Sequence, residues 1–243
     1  MKNLYSANLQ IAPAQVDVKK SLRFDSIMEY FQDSACLHSV EMGVEHDALM
    51  ESSNAFWVLS KVKFRIDGTL SQGDEIISST WPLEAKGFRF IREHKIEKTD
   101  KTATVHGRSE WCILDAKTLM LRKATSVKYP SDMVCLTDRA QVSDFNRFSQ
   151  FENALICYDY KTLNTDIDVN MHVNNVAYSR MAINALSKDE YKDGKFNAFE
   201  IHFISQSYLG DVISIYKQVE NDAILIEGKL NDKTVFKARF YNE

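Results

Sequence analysis

One long helix followed by four strand-length segments occurs twice in this chain, and that repeat limits the folds open to it. In the C-terminal part FENALICYDY (151–160) reads as a strand and a polar loop follows. From Asn174 or Asn175 the apolar residues Val176, Ala177, Met181, Ile183 and Leu186 recur with roughly helical spacing through about Tyr191. FNAFEIHFIS (196–205), DVISIYKQVE (211–220), AILIEGKL (223–230) and TVFKARFYN (234–242) then read as strands, parted by turns at Leu209-Gly210-Asp211 and Asn231-Asp232. The N-terminal part repeats the order. LYSANLQI (4–11) is a strand. A helix over 22–42, capped by Ser21 or Asp25 and stopped near Gly43, carries Leu22, Ile27, Tyr30, Phe31, Ala35 and Leu37. Strands follow at 56–67, 74–85, 88–98 and 103–115, and Gln72-Gly73-Asp74 repeats the later Gly-Asp turn. A lone helix has an apolar stripe to bury and a meander has one apolar face, so each half packs as an α+β layer, the sheet curling around the helix.

The expected organisation is a domain over 1–130, a linker over 131–150 with the Pro, Asp and Ser content of a crossing segment, and a domain over 151–243. Fourteen Phe, ten Tyr and three Trp supply two cores, and only eight Gly and three Pro leave little for disordered stretches. A net charge of −4 lacks the basic excess that neutralises phosphates, which argues against nucleic acid as partner. Cys36, Cys112, Cys135 and Cys157 have no zinc spacing and read as small buried hydrophobes in a reducing compartment. The N-terminus lacks the apolar run of a signal peptide, and no stretch approaches the ~20 apolar residues of a membrane helix. The expectation is a cytoplasmic protein without a membrane partner.

The chemistry concentrates in DVNMHVNN (168–175), set directly before a helix. Unpaired N–H groups at a helix start carry partial positive charge, so Asn174 and Asn175 mark a place for a developing oxyanion, although Asn174 also reads as a plain helix cap. In an extended loop residues two apart point the same way, so Asp168, Asn170 and His172 would present a carboxylate, an amide and an imidazole together. Asp168 suits a general base on water or a direct nucleophile, and the residues leave that choice open. His172 can orient or relay a proton and Asn170 can hold water or substrate. Lys61, Lys63 and Arg65 alternate on one strand, as a solvated face would.

DVNMHVNNVAY (168–178) resembles the D-x-N-x-H-V-N-N-x-x-Y motif of the acyl-acyl-carrier-protein (acyl-ACP) thioesterases of plant plastids and bacteria. FWVLSKVKFRID (56–67), QGDEIISSTWP (72–82) and EWCILDAKTLMLRKA (110–124) are similar to strands of that family's first domain, so the resemblance touches both halves. It implies a tandem (double) hotdog, two helices each wrapped by an antiparallel sheet. It implies hydrolysis of acyl-ACP to free fatty acid and ACP, ending chain elongation, with no metal or organic cofactor. It maps catalytic roles onto Asp168, Asn170 and His172. Where the family commonly has a Glu before a Gly-Asp turn, this chain has Gln206, which cannot take a proton at ordinary pH. That departure shifts the base role towards Asp168.

The resemblance also places the acyl chain in the first domain, between the helix and its sheet, with Met28, Phe31, Trp57, Phe64, Trp81 and Phe90 as the expected apolar or aromatic lining. The acidic carrier would need a basic patch, for which Arg122, Lys123, Lys128 and Arg180 qualify by charge alone. Both halves lie in one chain, so a monomer is self-sufficient and a homodimer is compatible with it. An acyl-CoA thioesterase on the same fold, and a non-catalytic acyl-binding or sensing protein that keeps Gln206, are the competing readings.

Overall fold

A computed structural model describes residues 3–126, 135–148, 150–194 and 196–243. Lys128, and 131–134 and 149 of the expected linker, lie outside the described residues. The chain forms two compact units, Met1–Leu22 with Glu29–Val142, and Arg23–Met28 with Ser143–Glu243.

The first half runs β1 (Tyr5–Gln10), α1 (Phe24–Glu41), α2 (His46–Ser53), β2 (Ala55–Asp67), β3 (Glu75–Pro82), β4 (Phe90–Lys98), β5 (Thr104–Asp115) and the short β6 (Leu121–Arg122). Its antiparallel strands lie in the order β1-β3-β4-β5-β2, with β6 added on β5. The second half runs β7 (Leu155–Lys161), α3 (Asn175–Asn184), α4 (Lys188–Asp193), β8 (Ala198–Phe203), β9 (Val212–Glu220), β10 (Ala223–Leu230) and β11 (Lys233–Tyr241). Its order, β7-β9-β10-β11-β8, is the same permutation. In each half the strand before the helix pairs with the second strand after it. The duplicated α+β plan holds, and no helix among the described residues is long and apolar enough to cross a membrane.

Two expectations about helices change. The second helix breaks after Asn184 instead of running to Tyr191, because Ser187 starts a new one. Its Oγ accepts from Glu190 N–H while Glu190 Oε2 accepts from Ser187 N–H, a reciprocal cap. The segment after Gly43 holds α2, which ends where Asn54 turns left-handed (φ 48°). Leu49 of α2 packs with Ala55, Phe90 and Ile113, with Trp57 and Trp111 beside them.

The pleat fixes which residues face α1. Phe31 stacks on His94 (centroids 4.3 Å apart) and meets Phe64 edge-on. His94 and Phe64 both lie opposite Gly107, where a Cβ would fall 2.2 Å from the Phe31 ring, so glycine lets the helix sit this close. Thr80, opposite His94, is on the same face. Trp81, one residue on, points away from α1, and its indole donates to the Asp138 carbonyl at 2.8 Å. Trp81 is therefore not lining between helix and sheet; the sequence supplied an aromatic but not the phase of its strand. The row Trp81, Glu93, Arg108, Lys63 forms that far face. Segment 138–140 crosses it, with Ala140 N–H donating to Glu93 Oε2. Lys63 is consequently fully buried, not solvated. Burial pushes the Glu93 carboxyl up, against the pull of Arg108, which bonds it at 2.8 Å.

The halves also share a loop, almost bond for bond. Asp168 N–H donates to the His172 carbonyl at 2.8 Å, and Asp168 Oδ1 accepts from Asn170 N–H (2.8 Å) and His172 N–H (3.2 Å). Asp17 N–H donates to the Ser21 carbonyl at 2.8 Å, and Asp17 Oδ1 accepts from Lys19 N–H (2.8 Å) and Ser21 N–H (3.0 Å). Met171 (φ 63°) and Lys20 (φ 62°) take the same left-handed place. The residue closing each loop donates to the segment before the Gly-Asp turn: Leu22 N–H to Leu70 O at 2.8 Å, and Val173 N–H to Ser207 O at 2.9 Å.

Candidate active site

Asp168, Asn170 and His172 do sit together, but not on an extended loop. They occupy a closed turn, with an Ile167–Val173 bridge at its neck, so the alternation that would line up their side chains does not apply. Val169 and Met171 point to solvent, 98% and 66% exposed. Among the described residues no hydrogen bond links the side chains of Asp168, Asn170, His172 and Gln206. Asn170 and Gln206 are exposed, and the half-buried His172 ring stands edge-on to Tyr208 at 5.2 Å. One Asp168 oxygen is spent on the turn. The other, Oδ2, makes no hydrogen bond among the described residues.

The helix start is more selective than its sequence. Asn174 is a true cap: its Oδ1 accepts from Val176 N–H at 2.9 Å, and its own N–H donates to the Asp166 carbonyl at 2.7 Å. Ala177 N–H turns back to the Asn174 carbonyl. That leaves the N–H of Asn175, first residue of α3, as the donor not claimed among the described residues. Asp166, which the sequence reading passed over, is the platform. It is buried, its carboxylate accepts from Tyr160 Oη and Leu163 N–H, and its carbonyl holds Asn174.

Position by position, the first-half copy keeps the aspartate and drops the rest. Lys19, Ser21, Arg23 and Phe24 stand where the second half has Asn170, His172, Asn174 and Asn175. Val16-Asp17-Val18 against Ile167-Asp168-Val169 is the signal in the sequence that would have exposed this copy.

The expected lining falls into parts. Phe31 and Phe64 meet against α1, and Trp57 and Phe90 cross at 89° beneath α2. Met28 is buried on the part of α1 that belongs to the second unit. The α1-facing side of the first sheet also carries polar groups that periodicity did not expose. Arg92 Nη1 bonds His38 Nδ1 at 2.9 Å and Thr80 Oγ1 at 3.4 Å. Ser109 Oγ accepts from Trp111 Nε1 and pairs with His94 Nε2. Burial, with Arg92 nearby, lowers the His94 pKa well below the ordinary imidazole value. Of the candidate carrier-binding cations, Arg180 is engaged by the buried Asp25 carboxylate at 3.2 Å and Arg122 by the Ser53 carbonyl, while Lys123 is exposed.

A family model of the acyl-ACP thioesterase N-terminal domain matches residues 2–128, and one of the C-terminal domain matches residues 151–238. The chloroplastic oleoyl-acyl carrier protein thioesterase 2 of Arabidopsis thaliana is 20% identical over 98% of this chain and 70% of its own length. The chloroplastic acyl-[acyl-carrier-protein] hydrolase FATB3 of Cuphea viscosissima is 23% identical over 72% of this chain, and the match spans 45% of that relative. Among solved structures, an acyl-ACP thioesterase from Bacteroides thetaiotaomicron superposes with a TM-score of 0.89 at 20% identity, over 99% of this chain and 98% of that one. The 12:0-ACP thioesterase from Umbellularia californica gives 0.85 at 13% identity, over 99% and 97%. At these identities the superpositions establish the double-hotdog fold. The two family matches take in both halves and the whole polar loop, and the chain belongs to the acyl-ACP thioesterase family.

Proposed function

We propose that this chain hydrolyses the thioester of a fatty acyl group carried on ACP, releasing free fatty acid and the carrier thiol. The observation that carries the reading is a pair of groups at one turn that make no hydrogen bond among the described residues, the Oδ2 of Asp168 and the N–H of Asn175. Asp168 takes a proton from water as its oxygen bonds the acyl carbon. The carbonyl oxygen, now negative, is received by the Asn175 N–H at the positive end of α3. Collapse breaks the C–S bond, and the sulfur leaves with a proton returned from Asp168 or relayed by His172. Direct attack by the carboxylate, giving an anhydride that water then opens, uses the same placement. Gln206, exposed and two residues from the turn at Tyr208–Asp211, is suited to orient water and not to accept its proton.

The four cysteines are not the buried hydrophobes their sequence context suggested, since Cys36 and Cys157 are exposed and Cys112 and Cys135 partly so; all four are free, which suits a reducing compartment, and we place the reaction in the cytoplasm. The test is turnover by the purified protein of acyl-ACPs from short to long chains, with acyl-CoAs of the same lengths beside them. Release of free acid from the carrier-protein substrates with a length optimum supports the reading. Faster release from CoA moves the substrate to the other thiol. Tight acyl binding without release makes the protein a binder and overturns the enzymatic reading.

A further inference from the structure

The two halves also build the same Gly-Asp turn and dress it differently. In the second half Tyr208 N–H donates to Asp211 Oδ2 at 2.8 Å, and Asp211 N–H returns to the Tyr208 carbonyl at 3.2 Å. In the first half Ser71 N–H donates to Asp74 Oδ2 at 2.8 Å, and Asp74 N–H returns to the Ser71 carbonyl at 3.1 Å. Gly210 (φ 88°) and Gly73 (φ 87°) take the same left-handed place. Each turn is pinned by the residue after an edge strand: Thr162 N–H donates to Asp211 O at 2.9 Å, and Ile11 N–H to Asp74 O at 3.0 Å. Tyr208 therefore corresponds to Ser71 and Thr162 to Ile11. By the matched loop bonds, His172 corresponds to Ser21.

Three side chains differ at these places. Ser21 and Ser71 meet through a backbone bridge. Their counterparts His172 and Tyr208 meet through their rings, with centroids 5.2 Å apart and planes at 62°, an arrangement in which aromatic rings attract. Ile11 and Thr162 are both buried, but Thr162 brings a hydroxyl that donates to the Tyr208 carbonyl at 2.6 Å. The first half folds the same backbone with two serines and an isoleucine, so the turn requires neither the ring pair nor the buried hydroxyl. They occur where the loop carries Asp168, Asn170 and His172.

The backbones of both ring residues are fixed. His172 is held at its N–H and its carbonyl by Asp168, and Tyr208 is held by Asp211 and Thr162. The side-chain torsions of His172 are what those bonds leave open. Tyr208 is 52% exposed, and its hydroxyl makes no hydrogen bond among the described residues, so the ring is the part engaged.

We propose that Tyr208 is a positioning residue: its ring, set in place by Thr162, holds the His172 imidazole in the single rotamer from which it relays a proton. The consequence for turnover rests on the proposed hydrolysis. The orientation of the imidazole does not, and it can be read without substrate.

Tyr208→Ser restores the first-half residue, so the turn should form and Tm should change little. In the substrate-free protein, three-bond N–Cγ and C′–Cγ couplings of His172 report its χ1. They should show one rotamer in the parent and in Tyr208→Phe, and averaging among staggered rotamers in Tyr208→Ser, with Thr162→Val between. An aromatic contact favours the paired rotamer by roughly two- to tenfold. In turnover of acyl-ACP, Tyr208→Ser should therefore lower kcat by up to about tenfold with KM near the parent value, and Tyr208→Phe should restore it. An unchanged single rotamer of His172 in Tyr208→Ser would overturn the proposal. So would a Tyr208→Phe as impaired as Tyr208→Ser, which would give the work to the hydroxyl, and so would a loss confined to Tm, which would make the ring structural. If the parent protein hydrolyses no thioester, the functional reading fails, while the His172 couplings still decide this one.

Discussion

Asp17 and Asp168 clamp the same turn with the same oxygen, so the structural share of the carboxylate can be separated from its chemical share within one molecule. Replacing either by Asn keeps an Oδ1 that accepts the two backbone N–H groups. We expect Asp17→Asn and Asp168→Asn to leave Tm nearly unchanged. Only Asp168→Asn should lower turnover, by about 10²- to 10⁴-fold, the usual reach of a lost general base. Equal turnover in the two variants would remove Asp168 from the reaction. The motif made Asp168, Asn170 and His172 legible as a group because polar residues crowd one stretch. Which Asp168 oxygen is free, and which helix N–H is left over, was not legible, because both depend on bonds to Asp166, Asn174 and the turn backbone.

At the scale of elements, helix α1 and strand β5 meet at Gly107. A Cβ there would lie 2.2 Å from Cε2 and 2.3 Å from Cζ of Phe31, whose ring is held by His94 on one side and Phe64 on its edge. Gly107→Ala therefore has to shift the helix or turn the ring, an overpacking cost of about 1–3 kcal/mol. Thermal unfolding should register it at roughly 2–4 °C per kcal/mol. Adding Phe31→Leu to Gly107→Ala should recover part of the loss; if it recovers nothing, ring overlap is not the cause. Strands were legible from alternation, but their pairing was not: the four strands after each helix read as a meander, whereas β2 pairs with β5 and β3 with β1, and in the second half β8 pairs with β11 and β9 with β7. Phase was not: Trp81 and Phe64 read alike in the sequence but lie on opposite faces. The break before α4 was legible in the Ser187–Glu190 spacing and was hidden by an apolar rhythm that continues across it.

For the molecule as a whole, the buried polar layer of the first half decides how stability answers to acid. His94 has its pKa lowered by burial and by Arg92. A depressed folded pKa contributes stability that is present above the unfolded value, about 6.5 for imidazole, and lost as pH falls towards the folded value. His106 is lowered as well, first by burial, and adds in the same direction. Glu110 and Glu190 are lowered too. Burial raises each, and bonds to Lys61 and Arg89 in one, to Ser187 and Lys217 in the other, outweigh it. Their contribution begins to disappear only below about pH 4.3. Glu93, raised by burial, has the opposite sign: its stability is full below its unfolded pKa and is lost as pH rises through the folded one. Two acid-side losses should therefore appear, an early one from about pH 6.5 and a later one below about 4.3. Replacing His94 by Gln keeps a partner for Ser109 Oγ but nothing that titrates. Its Tm should change less between pH 6.5 and 5 than that of the parent, with the later loss intact. If parent and His94→Gln lose Tm in parallel across that range, the early loss does not come from the imidazole under Phe31.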